Sequence, residues 1–265
     1  MARRLRDVRR ERFAPPSSGG RFLRHATDTE SRYEVKYLVR ATAITDLARA
    51  LEGYVEPDPR SDPEWGYSVY SVYWDSPDWR LFWEKVEGLK DRRKLRFRRY
   101  GGSSDVVVEI KHRIDRTLEK RRLRWPAERV REVLGPLADG RLPDAIWEAT
   151  EPVVGEVAAF VRANALRPRM AVLYRRRAWF GVYEPNVRIT FDSRLQYRAT
   201  GFDLVTPFEV GKYVLDPRAA VMEVKFTGRV PLWLSRFVTR HSLQMVRLSK
   251  YCAAVDKEYH AGMLT

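Results

Sequence analysis

The chain has 265 residues, of which 44% are apolar and 12% aromatic, enough for the core of one large domain or two small ones. Its 50 Lys and Arg against 35 Asp and Glu give a formal charge of +15, which points to a polyanionic partner: nucleic acid, an anionic membrane surface or phosphorylated small molecules. The single cysteine, Cys252, excludes an internal disulfide and any CxxC metal or redox site, and reads as a buried apolar residue.

Residues up to about Glu30 are rich in Arg, Ser, Pro and Gly without a period, so they read as a disordered basic arm ahead of a single domain over residues 31–265. The arm leads into no apolar stretch before Pro15, which argues against a secretory signal, and no run of ~20 apolar residues follows anywhere. A cytoplasmic protein is expected, with the arm available for peripheral contact at an inner membrane surface. "SRYEVKYLVR" alternates as a strand, and "TAITDLARALEGY" places Ile44, Leu47, Ala48 and Leu51 at helical spacing behind a Thr cap. From Tyr67 the pattern predicts successive strands, "YSVYSVYWD", "LFWEKVEG", "RKLRFRRYG", "DVVVEIKHR" and "LEKRRLRW", at hairpin spacing. A helical stretch from about Pro126 to Leu166, broken at Gly140 to Pro143, precedes the strands "RMAVLYRRRAWFG", "VRITFDSRLQYRA" and "VMEVKFTG". Two helices, "PLWLSRFVTRHSL" and "LSKYCAAVDKEYH", close the chain.

Side chains at i and i+2 of a strand share a face. That rule groups Lys94, Arg96 and Arg98; Arg32, Glu34 and Lys36; Glu109 and Lys111; Tyr174, Arg176 and Ala178; Arg188, Thr190 and Asp192; and Glu223 with Lys225. Each charged face is backed by an apolar one that needs burial of its own. A sheet closed into a barrel with a polar lumen meets both demands, so the expected fold is α+β, an antiparallel β-barrel with flanking helices. Like charges about 4 Å apart cost roughly 4 kcal/mol at an effective dielectric of ~20, so a cationic lumen calls for an anion, and Arg and Lys both suit phosphate. Glu109 and Glu223, beside lysines, could then hold Mg²⁺ or Mn²⁺ for a triphosphate. The aromatics of "SVYWDSPDW" read as core, with Tyr70, Val72 and Trp74 on one face. Phosphate-loop, dinucleotide and HExxH motifs are absent, and His25, His112, His241 and His260 show no ligand spacing.

The blocks "RYEVKYLV", "SVYWDSPD", "KLRFRRYG", "VVVEIKHR", "YRRRAW", "VRITFD", "MEVKF" and "LSKYC", in this order, resemble the polyphosphate polymerase domain of the vacuolar transporter chaperone complex, a triphosphate tunnel metalloenzyme. The resemblance covers about Arg32 to Val255 and implies a basic tunnel. It places Lys36, Arg96, Arg98, Arg176, Lys225 and Lys250 at the reacting phosphates, and Arg32, Lys94, Lys111, Arg188, Arg247 and Ser249 along the bound substrate. Glu223 is the implied metal ligand and Glu109 the second, with a place for Glu34 or Asp192 left open. Arg247 stands where some members carry lysine. The implied activity is transfer of the γ-phosphoryl of ATP to polyphosphate with Mn²⁺ or Mg²⁺; the partners are ATP and polyphosphate, with no specific nucleic acid. Hydrolysis of triphosphate or polyphosphate by the same tunnel, and polyanion binding without catalysis, are the alternatives. No phosphate-sensing SPX segment or membrane span is expected within this chain, so any coupling of synthesis to export would need a separate membrane partner.

Overall fold

The structure, a computed structural model, describes residues 32–62, 64–115, 117–139, 141, 150–203 and 210–260, with only the backbone of Arg32. The expected basic arm lies outside the described residues, as does the expected break at Gly140 to Pro143 apart from Arg141. The first half comprises β1 (Arg32–Arg40), α1 (Ile44–Arg49), β2 (Val55–Pro57), β3 (Tyr67–Asp75), α2 (Arg80–Val86), β4 (Asp91–Tyr100), β5 (Asp105–Ile114), β6 (Thr117–Pro126) and α3 (Ala127–Leu134). After it come α4 (Pro152–Ala163), β7 (Arg167–Gly181), β8 (Arg188–Arg198), β9 (Lys212–Tyr213), β10 (Ala219–Thr227), α5 (Leu232–Arg240), β11 (Gln244–Met245) and α6 (Lys250–Tyr259).

The described strands form one antiparallel sheet in the order β11-β1-β10-β8-β7-β3-β4-β5-β6, with β2 added to β7 and β9 to β8. A large antiparallel sheet with flanking helices is the expected class. The ladder ends at β11 and β6, so strand pairing leaves one seam open where a closed barrel was expected. Curling nevertheless brings the two ends of the sheet face to face: Lys111 on β5 lies in the field of Glu34 on β1 and Lys225 on β10.

Alternation sorts the side chains as the i, i+2 rule requires. Leu95 and Phe97 of β4 and Val106, Val108 and Ile110 of β5 point outward and are buried with Val130 and Val133 of α3 and Val157 and Val161 of α4. Tyr70, Val72 and Trp74 join this core, as expected for "SVYWDSPDW". Ile189 and Phe191 of β8 and Met222 and Val224 of β10 are covered in the same way by α1 and α5. The third core is on the inner side: Tyr73, Met170, Val172 and Tyr174 pack against Tyr251, Cys252 and Val255, so α6 fills one end of the lumen. Cys252 is buried there, a small apolar contact. Among the described residues no helix is long and apolar enough to cross a membrane.

"LFWEKVEG" is a helix, not the expected strand. Asp75, fully buried at the end of β3, accepts hydrogen bonds from the backbone N–H of Leu81 (2.8 Å) and Phe82 (2.9 Å), and the Ser76 hydroxyl accepts one from Arg80 N–H (2.9 Å). These acceptors satisfy the free donors of a first helical turn and override the local aromatic preference for strand. The Thr cap expected ahead of α1 does not form; a 3-10 turn at Ala41–Ala43 leads into it, and Ala43 supplies no side-chain bond. Asp75 also takes the hydroxyl of Tyr251. Asp75→Ala strands several buried donors at once and is expected to cost about 3–5 kcal/mol of unfolding free energy, read by urea denaturation; a loss below about 1 kcal/mol would show that these bonds do not hold α2.

Candidate active site

Register assembles the lumen row by row. On one wall Glu34 stands opposite Lys225 and Lys36 opposite Glu223. Across the next ladder Lys225 meets Arg188 and Glu223 meets Thr190, while Arg176 of β7 stands opposite Asp192 of β8. On the facing wall Lys94 pairs with Lys111, and Arg96 with Glu109. The N-terminal end of α6 brings Lys250 in from the filled end, its amine 2.6 Å from Asp192 and 3.8 Å from Glu223.

Three carboxylate centres organise these cations, and they differ in how closely the cations hold them. Asp192, with no exposure, holds Arg176 through two bonds of 2.7 Å and Lys250 beside them, so both of its oxygens are engaged. Burial opposes its ionisation, but Arg176 and Lys250 outweigh that and keep it below the ordinary carboxylate value. Glu109 is likewise engaged by Arg96 (2.5 Å), Lys120 (3.1 Å) and Arg122 (2.8 Å), which overcome its burial and hold it well below the usual range. Glu34 and Glu223 form the third centre and share Lys36 and Lys225. Burial and the charge of Glu223 push Glu34 up; Lys225, Lys36 and Lys111 pull it lower than its ordinary value. Two carboxylates this close, with the buried Thr190 hydroxyl making no hydrogen bond among the described residues, suit a divalent cation completed by phosphate oxygens and water. The described residues contain no cluster of three His, Cys, Asp or Glu able to hold a metal unaided.

Three other lumen cations, Lys94, Lys111 and Arg98, have no carboxylate ion-pair partner among the described residues. Lys94 sits 5.8 Å over the Tyr251 ring, and burial lowers its pKa. Lys111, its cross-strand neighbour, is lowered for the same reason. Arg98, 8% exposed, donates to the Ser71 hydroxyl at 2.9 Å. Lys120 at the rim is pushed down to about 7 by burial and by Arg122 and Arg96 despite Glu109. Burial would raise the Tyr73 phenol, but Arg96 and Arg98 bring it down to about 8.

A lysine whose folded pKa lies below its unfolded value binds fewer protons when folded, so raising the pH through that interval adds stability; a phenol brought down from its ordinary value acts in the same direction. The unliganded protein is therefore expected to gain stability as the pH rises above about 7, where Lys120 and then Tyr73 titrate, while its affinity for triphosphate falls as Lys120 loses its proton, with Lys94 and Lys111 shifted in the same direction. Melting temperature and binding measured across that range check both signs; affinity that is flat or rising with pH would contradict the placement of these lysines.

Several of the residues expected at the site thus stand together. Lys36, Lys225, Lys250 and Glu223 form one linked group, and Arg176 joins it through Asp192. Arg96 and Glu109 make a second group, sharing no ion-pair partner with Glu34 or Glu223 among the described residues. Arg188 lies at the opposite end of the lumen from α6, donating to Asp58 and to the Tyr67 hydroxyl, both at 3.3 Å. Ser249 caps α6, its hydroxyl accepting from Cys252 N–H at 3.4 Å, and Arg247 is exposed. The side chain of Arg32 lies outside the described residues. The sequence assigns no site role to Lys120, Arg122 or Asp58, and Tyr73 reads there as one of the core aromatics, where it is found. Applying the i, i+2 rule to "LEKRRLRW" would have found the first two; Asp58, in a loop, carried no periodic signal.

The family model of the VTC domain matches residues 31–259. The chain belongs to this family, the polyphosphate polymerase domain family of the tunnel fold. No curated protein matches it. Among solved structures, a proposed adenylate cyclase from Bacillus halodurans is 13% identical with a TM-score of 0.48, over 83% of this chain and 94% of that one. A proposed adenylyl cyclase from Hippeastrum, described as having a dominant triphosphatase activity, is 13% identical with a TM-score of 0.47, over 86% and 95%. A further proposed adenylate cyclase, from Vibrio parahaemolyticus, is 12% identical with a TM-score of 0.44, over 84% and 97%.

Proposed function

We propose that the protein is an ATP-dependent polyphosphate polymerase that transfers the γ-phosphoryl group of ATP to the end of a polyphosphate chain held in the lumen. The observation that carries this reading is the pairing of half-buried Lys94 and Lys111 and buried Arg98, which lack a carboxylate ion-pair partner among the described residues, with the Glu34–Glu223 pair on the facing wall. A lumen meant only to bind an anion gains nothing from two adjacent carboxylates, which repel it. With a divalent cation between them the repulsion becomes a phosphate contact, and Glu223 with Glu34 would hold that cation.

In the reaction a terminal oxygen of the acceptor chain attacks the γ-phosphorus, the bond from phosphorus to the β–γ bridging oxygen breaks, and ADP leaves with that oxygen. The acceptor is already an anion, so no general base is needed; the protein's work is alignment and charge stabilisation. Arg176 and Lys250, fixed from behind by Asp192, present cations whose position does not change as charge moves, and Arg96 is fixed in the same way by Glu109. The bound divalent cation would supply further neutralisation of phosphate charge.

Incubation of the purified chain with ATP and Mn²⁺ or Mg²⁺ is expected to give ADP and a long phosphate polymer that acid hydrolyses to orthophosphate, with nothing formed when the metal is chelated. Orthophosphate rising in step with ADP and no polymer would replace this reading with hydrolysis, and absence of both products would leave a binding module.

A further inference from the structure

β6 is the last strand of the described sheet, and its unpaired edge forms one lip of the open seam. On the face shared with the lumen, Lys120 stands opposite Lys111, Arg122 opposite Glu109 and Arg124 opposite Val107. Each extends a row that begins on β4, where Lys94 meets Lys111, Arg96 meets Glu109 and Arg98 meets Val107. Exposure rises along these rows: the Arg96 side chain is 21% exposed and that of Arg122 54%. Arg98 is 8% exposed, whereas the Arg124 side chain reaches 61%.

Cations on an edge strand ordinarily guard against pairing with another chain. That purpose does not ask for one sign on one face. Yet the lumen-side face of β6 repeats Lys120, Arg122 and Arg124 about 6.8 Å apart, while on the outer face Arg121 is paired with Glu119 and Glu156. The neighbouring acids leave the inner ladder positive: Glu109 is shared among Arg96, Lys120 and Arg122, and Asp105 comes no closer than 3.8 Å to Arg124. The other end of the lumen is filled by α6.

We propose that the inner face of β6 is the exit track of the polymer, along which a polyphosphate too long for the lumen leaves through the seam over Arg122 and Arg124. This rests on the lumen binding phosphate chains. It predicts a division by length: triphosphate stays within the lumen and ignores Arg124, while a long chain reaches it.

Arg124→Glu tests the division without disturbing the cations on Glu109. Calorimetry on the whole chain is expected to show triphosphate affinity unchanged within about twofold and long-chain polyphosphate weakened about tenfold, with its salt dependence reduced by about one charge. Arg124→Lys is expected to restore most of the loss, and the melting temperature of both variants to match the parent's. Arg60→Glu, at the end of the lumen where Arg60 rests on Asp58 with its side chain 76% exposed, serves as the rival route. Long-chain affinity lost in Arg60→Glu and kept in Arg124→Glu overturns the proposal. So does single-stranded DNA that binds the parent equally well and loses as much in Arg124→Glu. A parent that binds neither triphosphate nor long chain overturns the lumen reading itself, whereas a parent that binds both, with Arg124→Glu unchanged, overturns only the track.

Discussion

Glu223→Gln is expected to lower turnover by about 100-fold or more, while metal-free triphosphate binding persists or tightens. Glutamine keeps the size of the side chain and removes the charge that, with Glu34, would hold a divalent cation; it also removes a repulsion felt by any phosphate at Lys36, Lys225 and Lys250. Those three lysines then lose a buried counter-charge, so the unliganded variant should be less stable, by about 3 kcal/mol. Added triphosphate should restore more of that loss than it adds to the parent. Lys225→Ala separates the two roles, since it deletes a phosphate contact on the same face and should weaken binding itself. Calorimetry without metal beside an activity assay distinguishes them: normal turnover in Glu223→Gln, or parental binding in both variants, would remove "MEVKF" from the site.

Triphosphate should raise the melting temperature of the parent by about 5–10 °C at ~100 times its dissociation constant, equivalent to about 2.7 kcal/mol. Chloride at equal ionic strength should give a small fraction of this. The asymmetry follows from the lumen's own balance: its cations outnumber the carboxylates of Glu34, Glu109, Asp192 and Glu223, and Lys94 faces Lys111 with no acid between them. A chelating polyanion relieves that repulsion at several points at once, whereas chloride screens without bridging. A chloride shift equal to the triphosphate shift would mean that these groups are screened by solvent and do not share an enclosed lumen.

Much of this site could be read from strand alternation. The face carrying Lys94, Arg96 and Arg98, and the opposed pair Glu223 and Lys225, follow from i, i+2 spacing and are found together inside the curled sheet. What could not be read depends on contacts distant in sequence. Asp192 was on the expected face, but its attachment to Lys250 arises only once α6 enters the lumen. Asp58 acts on Arg188 from a loop 130 residues away. "LFWEKVEG" was misread because its aromatics suit a strand, and the acceptors that make it helical, Asp75 and Ser76, lie before it. The seam was equally invisible, since alternation tells which face a residue takes and not whether the first and last strands meet.

Asp75 carries a consequence for motion as well as stability. One carboxylate receives the first donors of α2 and the hydroxyl of Tyr251, and Tyr251 stacks on Tyr73 with ring centroids 4.9 Å apart. The helix that stops the lumen is thereby latched to the start of a helix far from it in sequence. Amide exchange should reveal them as a single opening unit, the N–H groups of Leu81 and Phe82 and those of the central turns of α6 gaining solvent access together and with one free energy. The filled end of the lumen would then behave as a hinged stopper whose catch is a side chain rather than a stretch of backbone.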